Sequence, residues 1–144
     1  MRHRNALAST LANLGQLELH ERDSVHARAL FEESLAIRQE LEEIEGQAVA
    51  LAGLAGVEAI AGNQELAARL FGATEAAYES LDMEMSTAEH MIYDPIKAAV
   101  REQLGEAPFN AAWVEGRKMT LKQAVELVQR HTCGQEAAHC GAGR

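Results

Sequence analysis

Apolar residues return along this chain at the three-and-four spacing of helix faces. Leu11, Leu14 and Glu18 fall at i, i+3 and i+7 of one stripe, and Ala27 and Phe31 fall at i and i+4 of the next. The pattern predicts helices near 5–20, 24–43, 46–61 and 64–81. Asp23-Ser24 and Gly62-Asn63 lie between the members of each pair, as capping and turn residues should. Gly15 carries no side chain beside the first stripe, so a second helix can approach closely there. Gly15→Leu is expected to loosen that contact by overpacking, at a cost of about 1–3 kcal/mol.

The framework repeats. Leu11, Ala12, Leu14, Glu18, Ala27, Leu30 and Phe31 recur as Leu51, Ala52, Leu54, Glu58, Ala67, Leu70 and Phe71, each forty residues on. Chance repetition with unchanged internal spacing is improbable, so two similar helix pairs are expected over 5–82. In the second pair Ala55 stands where the first has Gly15.

Past residue 82 the repeat stops, but helical punctuation continues over 83–131. Ser86-Thr87-x-Glu89 reads as a capping box, and Asp94-Pro95 as a place where a helix kinks or restarts. Gly105 is expected to end that helix, and Gly116 to close a short one carrying Phe109 and Trp113. Thr120-x-x-Gln123 opens a last helix to about His131, and 132–144 reads as a flexible tail. Phe109 and Trp113 are expected to cover the open apolar edge of the last repeat, since terminal repeats need such a cover.

The large residue, Leu-Gly and Ala-x-x-x-Phe pattern over two antiparallel helices resembles the tetratricopeptide repeat. Its helix-ending proline is missing, with Gln39 and Glu79 at those places, and the forty-residue period exceeds the usual one. The run from Gly105 through Phe109, Trp113 and Gly116-Arg117 to Thr120-Leu121 and Ala124, with Arg69-Leu-Phe-Gly72, resembles the extreme C-terminus of large bacterial transcriptional regulators and signalling ATPases. The likeness spans roughly 5–130. It implies an all-α solenoid of helix hairpins with a C-terminal helical cap, acting as a regulatory or sensory arm whose ATP and DNA sites lie elsewhere.

Composition agrees with helices packed on small residues: 47% of the chain is apolar but only 4% aromatic. The formal charge of −9 and the lack of a basic stripe argue against direct nucleic-acid binding. Neither a signal peptide nor a run long enough to span a membrane is evident, and Cys133 and Cys140 are the only cysteines. A cytoplasmic protein is expected.

Candidate chemistry is sparse. His131, Cys133, His139 and Cys140 are metal-ligand types on a loose, glycine-flanked spacing that points to a tail and not to zinc. The carboxylates Glu32/Glu33, Glu40/Glu42/Glu43 and Glu45 read as solvated helix surface, and His20, His26 and His90 as isolated. No nucleophile, base and acid can be argued to converge, so no catalytic residue and no cofactor is expected. The site expected is a partner groove along the first helix of each pair: Ser9, Asn13, Gln16 and His20, then Val49, Gly53, Gly56 and Ile60. Its small residues suit an amphipathic helix of a partner protein, a neighbouring domain or a second copy, and equally the next repeat. Rival readings are a self-associating scaffold, and a small-ligand sensor using a pocket between repeat two and Phe109/Trp113.

Overall fold

The computed structural model describes the backbone over residues 2–142 and side chains through residue 131. Among these residues there are seven helices and no strand. The helices are α1 (Arg2–His20), α2 (Ser24–Glu40), α3 (Ile44–Ala61), α4 (Gln64–Ser80), α5 (Thr87–Leu104), α6 (Glu106–Arg117) and α7 (Leu121–Ala142). The fold is all-α.

The first four helices are joined by turns that recur every twenty residues. Arg22, Glu42, Gly62 and Asp82 take positive φ values of 65°, 54°, 97° and 55°. At each turn the next backbone N–H donates to a carbonyl five residues back: Asp23 to Glu18, Glu43 to Arg38, Asn63 to Glu58 and Met83 to Tyr78, at 2.8–2.9 Å. This is the Schellman closure, which satisfies the orphan carbonyls of a helix end. Only one of the four left-handed positions is a glycine. The residues that turn the chain at 42 and 82 therefore carry no glycine signal in the sequence.

Phe31 holds the first three helices together. Its ring is fully buried, between Gly15 of α1 and Gly53 of α3. A Cβ on Gly15 would lie 2.8 Å from two ring carbons, and one on Gly53 would overlap the opposite ring edge. Gly15 is thus at a tight crossing, as its position in the repeat predicts. Gly15→Leu should cost about 1–3 kcal/mol. The milder Gly53→Ala should also destabilise, although alanine is the better helix former by about 1 kcal/mol. Urea melts of both variants check this, and unchanged midpoints would show that the ring has room.

α3 is the centre of the molecule. Every residue from Ala50 to Ala59 is buried, because α1 and α2 pack on one side of α3 and α4, α5 and α7 on others. A helix apolar all round belongs in a core. By length and composition alone α3 could also cross a membrane, but 67% of it is buried inside the protein.

The C-terminal helices depart from the expected boundaries in three places. α5 does not restart at Pro95: Ser86 caps it, with its Oγ accepting from the Glu89 N–H at 3.1 Å, and the helix runs on to Leu104. Gly116 does not close α6. The helix continues to Arg117, and Gly116 is buried where α6 crosses α4. Gly105, at φ 96°, does end α5. Thr120 and Gln123 form a reciprocal box at the start of α7, at 2.9 and 3.1 Å. α7 runs on to Ala142, past the end expected near His131, so the backbone of the expected tail over 132–144 is helical as far as 142; the side chains of Cys133, His139 and Cys140 lie outside those described.

Candidate interaction surface

The expected groove divides into an open half and a filled half. On α1, Asn13 and His20 are exposed and Gln16 is half-buried. Ser9 is exposed but engaged, its Oγ accepting from Arg38 Nη2 at 2.7 Å. Arg38 is itself buried, also donates to Asn5 and Glu43, and lays its methylenes on Gly46.

On α3 the groove positions are not open. Gly53 faces Phe31, and Gly56 admits Tyr93 of α5, whose ring would lie 3.3 Å from a Cβ placed there. Ile60 is half-buried and lines a cleft with Ile96 and Val100, and Val49, also half-buried, packs against the cluster of Ala48, Ala77 and Tyr78. Other helices of the same chain cover much of this half: α2 brings Phe31, α1 brings Leu19, and α5 brings Tyr93, Ile96 and Val100, the apolar face it has to bury. Burial pushes the hydroxyl pKa of both Tyr93 and Tyr78 upward.

Phe109 is fully buried and Trp113 half-buried, both within the main core. Arg101 stacks over Phe109 at 4.7 Å and Arg117 over Trp113 at 5.1 Å. Arg117 also pairs with Glu79 at 2.6 Å, which lowers the Glu79 pKa and raises its own. A cavity of about 420 Å³ lies elsewhere, between α4, the 81–86 segment and α5. Phe71, Tyr78, Met83 and Met85 line it together with Glu75, Glu79, Glu84, His90 and Lys97, and neither Phe109 nor Trp113 does.

One buried polar group escapes sequence reading. Glu58 on α3 is wholly buried, and Arg28 of α2 donates to both its oxygens, at 2.7 and 3.3 Å. Asn63 donates to it at 3.1 Å, and His131 Nε2 of α7 stands 3.4 Å away. A carboxylate loses water at great cost, so it is buried only with such partners. Three elements therefore meet on one side chain. The signal available beforehand was a glutamate inside the apolar run 48–60.

Histidines 26 and 90 are not isolated. His26 Nδ1 lies 2.5 Å from Asp23, and His90 lies 3.2 Å from Asp94. Asp23 also caps α2 through the His26 N–H at 3.1 Å. The bond to His26 holds the Asp23 carboxyl below its usual 3.8, and the same bond raises His26 above its usual 6.5. The Asp23 contribution is present above 3.8 and lost as pH falls through its lowered value. The His26 contribution is present below 6.5 and lost as pH rises through its raised value. The pair is therefore fully formed between those ordinary values. An NMR titration should find His26 raised in the wild type and returned toward 6.5 in Asp23→Asn. Equal values in the two proteins would refute the pairing. With Glu18 the two residues form a group of metal-ligand types, but Asp23 is already engaged as a cap.

These features are packing and surface geometry. No protein-family profile matches the chain, and no solved structure matches it. Curated proteins do. Over 116 residues the chain is 30% identical to proteins of Mycobacterium bovis and of two Mycobacterium tuberculosis strains, all named as candidate HTH-type transcriptional regulators. The match covers 81% of this chain but 12% of each relative. The chain thus spans about an eighth of the length of the curated relatives it matches.

Proposed function

We propose that this chain is a non-catalytic protein-interaction module, the regulatory arm of a bacterial transcriptional regulator, built on tetratricopeptide-like helix pairs and working in the cytoplasm. The observation that carries this is the mismatch in length: a segment similar to 12% of regulator-sized proteins, most of it alike, fits an arm of such a protein. The Gly15–Phe31–Gly53 packing, the twenty-residue recurrence of its turns and the forty-residue recurrence of its sequence framework support the repeat architecture. Its buried polar groups, Glu58 and Arg38 above all, are consumed in holding helices together. An acidic chain offers no attraction for DNA phosphates, so in this reading DNA is bound by another part of the protein.

The function then lies in helix surfaces whose occupancy alters neighbouring domains. Immunoblotting of the native gene product with antibodies to this segment tests the reading. A band far above 15.6 kDa is expected. A band at that mass would overturn the regulator reading and leave a free-standing adaptor.

A further inference from the structure

α1 carries a second stripe that the core does not use. His3, Leu7, Thr10, Leu14, Leu17 and Glu21 follow one another at spacings of four, three, four, three and four, and all six are exposed. That is the seam of a two-helix coiled coil. Its leucines are 45%, 44% and 60% exposed, on a different side of the helix from the buried Ala8, Leu11, Ala12, Gly15 and Leu19. Forty residues on, the counterparts of Thr10, Leu14 and Leu17 are Ala50, Leu54 and Val57, at most 1% exposed. Positions that are core in the second helix pair lie open in the first.

A further helix pair of the same build is a poor occupant. On α3 the place for the incoming aromatic ring is made by Gly53, and the place for the incoming arginine stem by Gly46. Their counterparts on α1 are Asn13 and Ala6, whose side chains stand in those places. α1 is not shaped to receive another Phe31 or another Arg38.

The charge along α1 selects a different occupant. Its first turn carries Arg2, His3 and Arg4; its last carries Glu18 and His20, and Glu21, Arg22 and Asp23 follow in the turn, leaving that end acidic on balance. This order opposes the helix macrodipole, so it costs the isolated helix some stability. Against an antiparallel second copy the same order is complementary: each basic end meets an acidic end, and the two dipoles oppose. A two-fold axis near residue 12 sets Leu7 against Leu17 of the second copy, Thr10 against its Leu14, and His3 against its Glu21. Arg4 is held by Glu40 of its own chain, and Glu18 sits with Asp23 and His26. Arg2, His3 and Glu21 are left to carry the attraction between copies.

We propose that α1 is the contact face of an antiparallel homodimer, closed by Leu7, Leu14 and Leu17 and registered by the opposite charges of the helix ends. This rests on the interaction-module reading and names its surface and its partner.

Sedimentation equilibrium of the 144-residue chain tests it, over about 1 µM to 1 mM, where so small an interface should dissociate. A monomer–dimer equilibrium is expected, weakening as salt is raised. Leu14→Glu, and separately Leu17→Glu, should raise the dissociation constant about tenfold or more, with helicity and melting temperature unchanged. With Cys133 and Cys140 replaced by serine, the L7C/L17C variant should cross-link into dimers on oxidation while L7C and L17C alone do not. A monomer throughout, unchanged association in both glutamate variants, or efficient cross-linking of a single variant would each overturn the proposal. A monomeric chain whose native product is still a large regulator removes the dimer and leaves the interaction module standing.

Discussion

Gly116→Ala is expected to detach α6 from α4, with a loss of about 2–4 kcal/mol and roughly 5–15 °C in melting temperature. A Cβ at Gly116 would overlap the Arg69 carbonyl oxygen, lie 2.7 Å from its carbon and lie 3.0 Å from the Ala73 nitrogen. Gly72 on α4 is the mirror case, with a Cβ that would overlap the Trp113 carbonyl oxygen and lie 2.9 Å from its carbon. In both cases the obstacle is backbone. A flexible side chain swings aside by a rotamer change, whereas a carbonyl moves only if its helix moves. Alanine's helix preference over glycine returns about 1 kcal/mol, too little to offset that shift. Trp113 lies on α6, so its fluorescence reports the event directly. Urea melts of Gly116→Ala and Gly72→Ala should show matching losses, with an emission change in the native baseline. Wild-type midpoints in both would mean that the helices do not cross at these glycines.

Arg28→Met is expected to cost about 2–4 kcal/mol, more than an ordinary surface pair would. Glu58 is wholly buried, and Arg28 is 18% exposed, so the loss falls somewhat below that of a fully enclosed pair. Most of the loss comes from stranding the carboxylate, since Asn63 and His131 satisfy it only in part. Arg28→Met/Glu58→Leu should therefore recover much of the stability, because a well-packed apolar pair of similar volume is often neutral there. Chemical denaturation of the two single variants and the double variant measures the coupling. Losses that simply add would show that the two side chains act independently.

Much of the fold was legible because it depends on local rules. Helix faces at three-and-four spacing, Asp23 as a cap, the Ser86 and Thr120 boxes and Gly105 as a stop each rest on a few neighbouring residues. The forty-residue recurrence places Phe31 and Gly15 together, since a bulky ring beside a missing side chain reads as a close crossing. Breaks after 43 and 81 were expected, but not the residues that turn the chain, because Glu42 and Asp82 take a left-handed conformation that favours glycine. The candidate site fared unevenly. Asn13 and His20 are exposed, whereas Gly53 and Gly56 are covered by other parts of the same chain and Val49 and Ile60 are half-buried.

Sequence alone determined the class of this protein: helical, with a framework recurring at forty residues and an aromatic pair near the end. It also marked the glycines that matter, without saying what each would face. Only the tertiary structure decided that α5 and α7 close around α3, that Gly116 is a crossing and not a terminus, and that Glu58 draws three elements together. The reason is range. Capping and periodicity act within a few residues, whereas the partner of a glycine or of a buried charge is chosen by which distant helix arrives there.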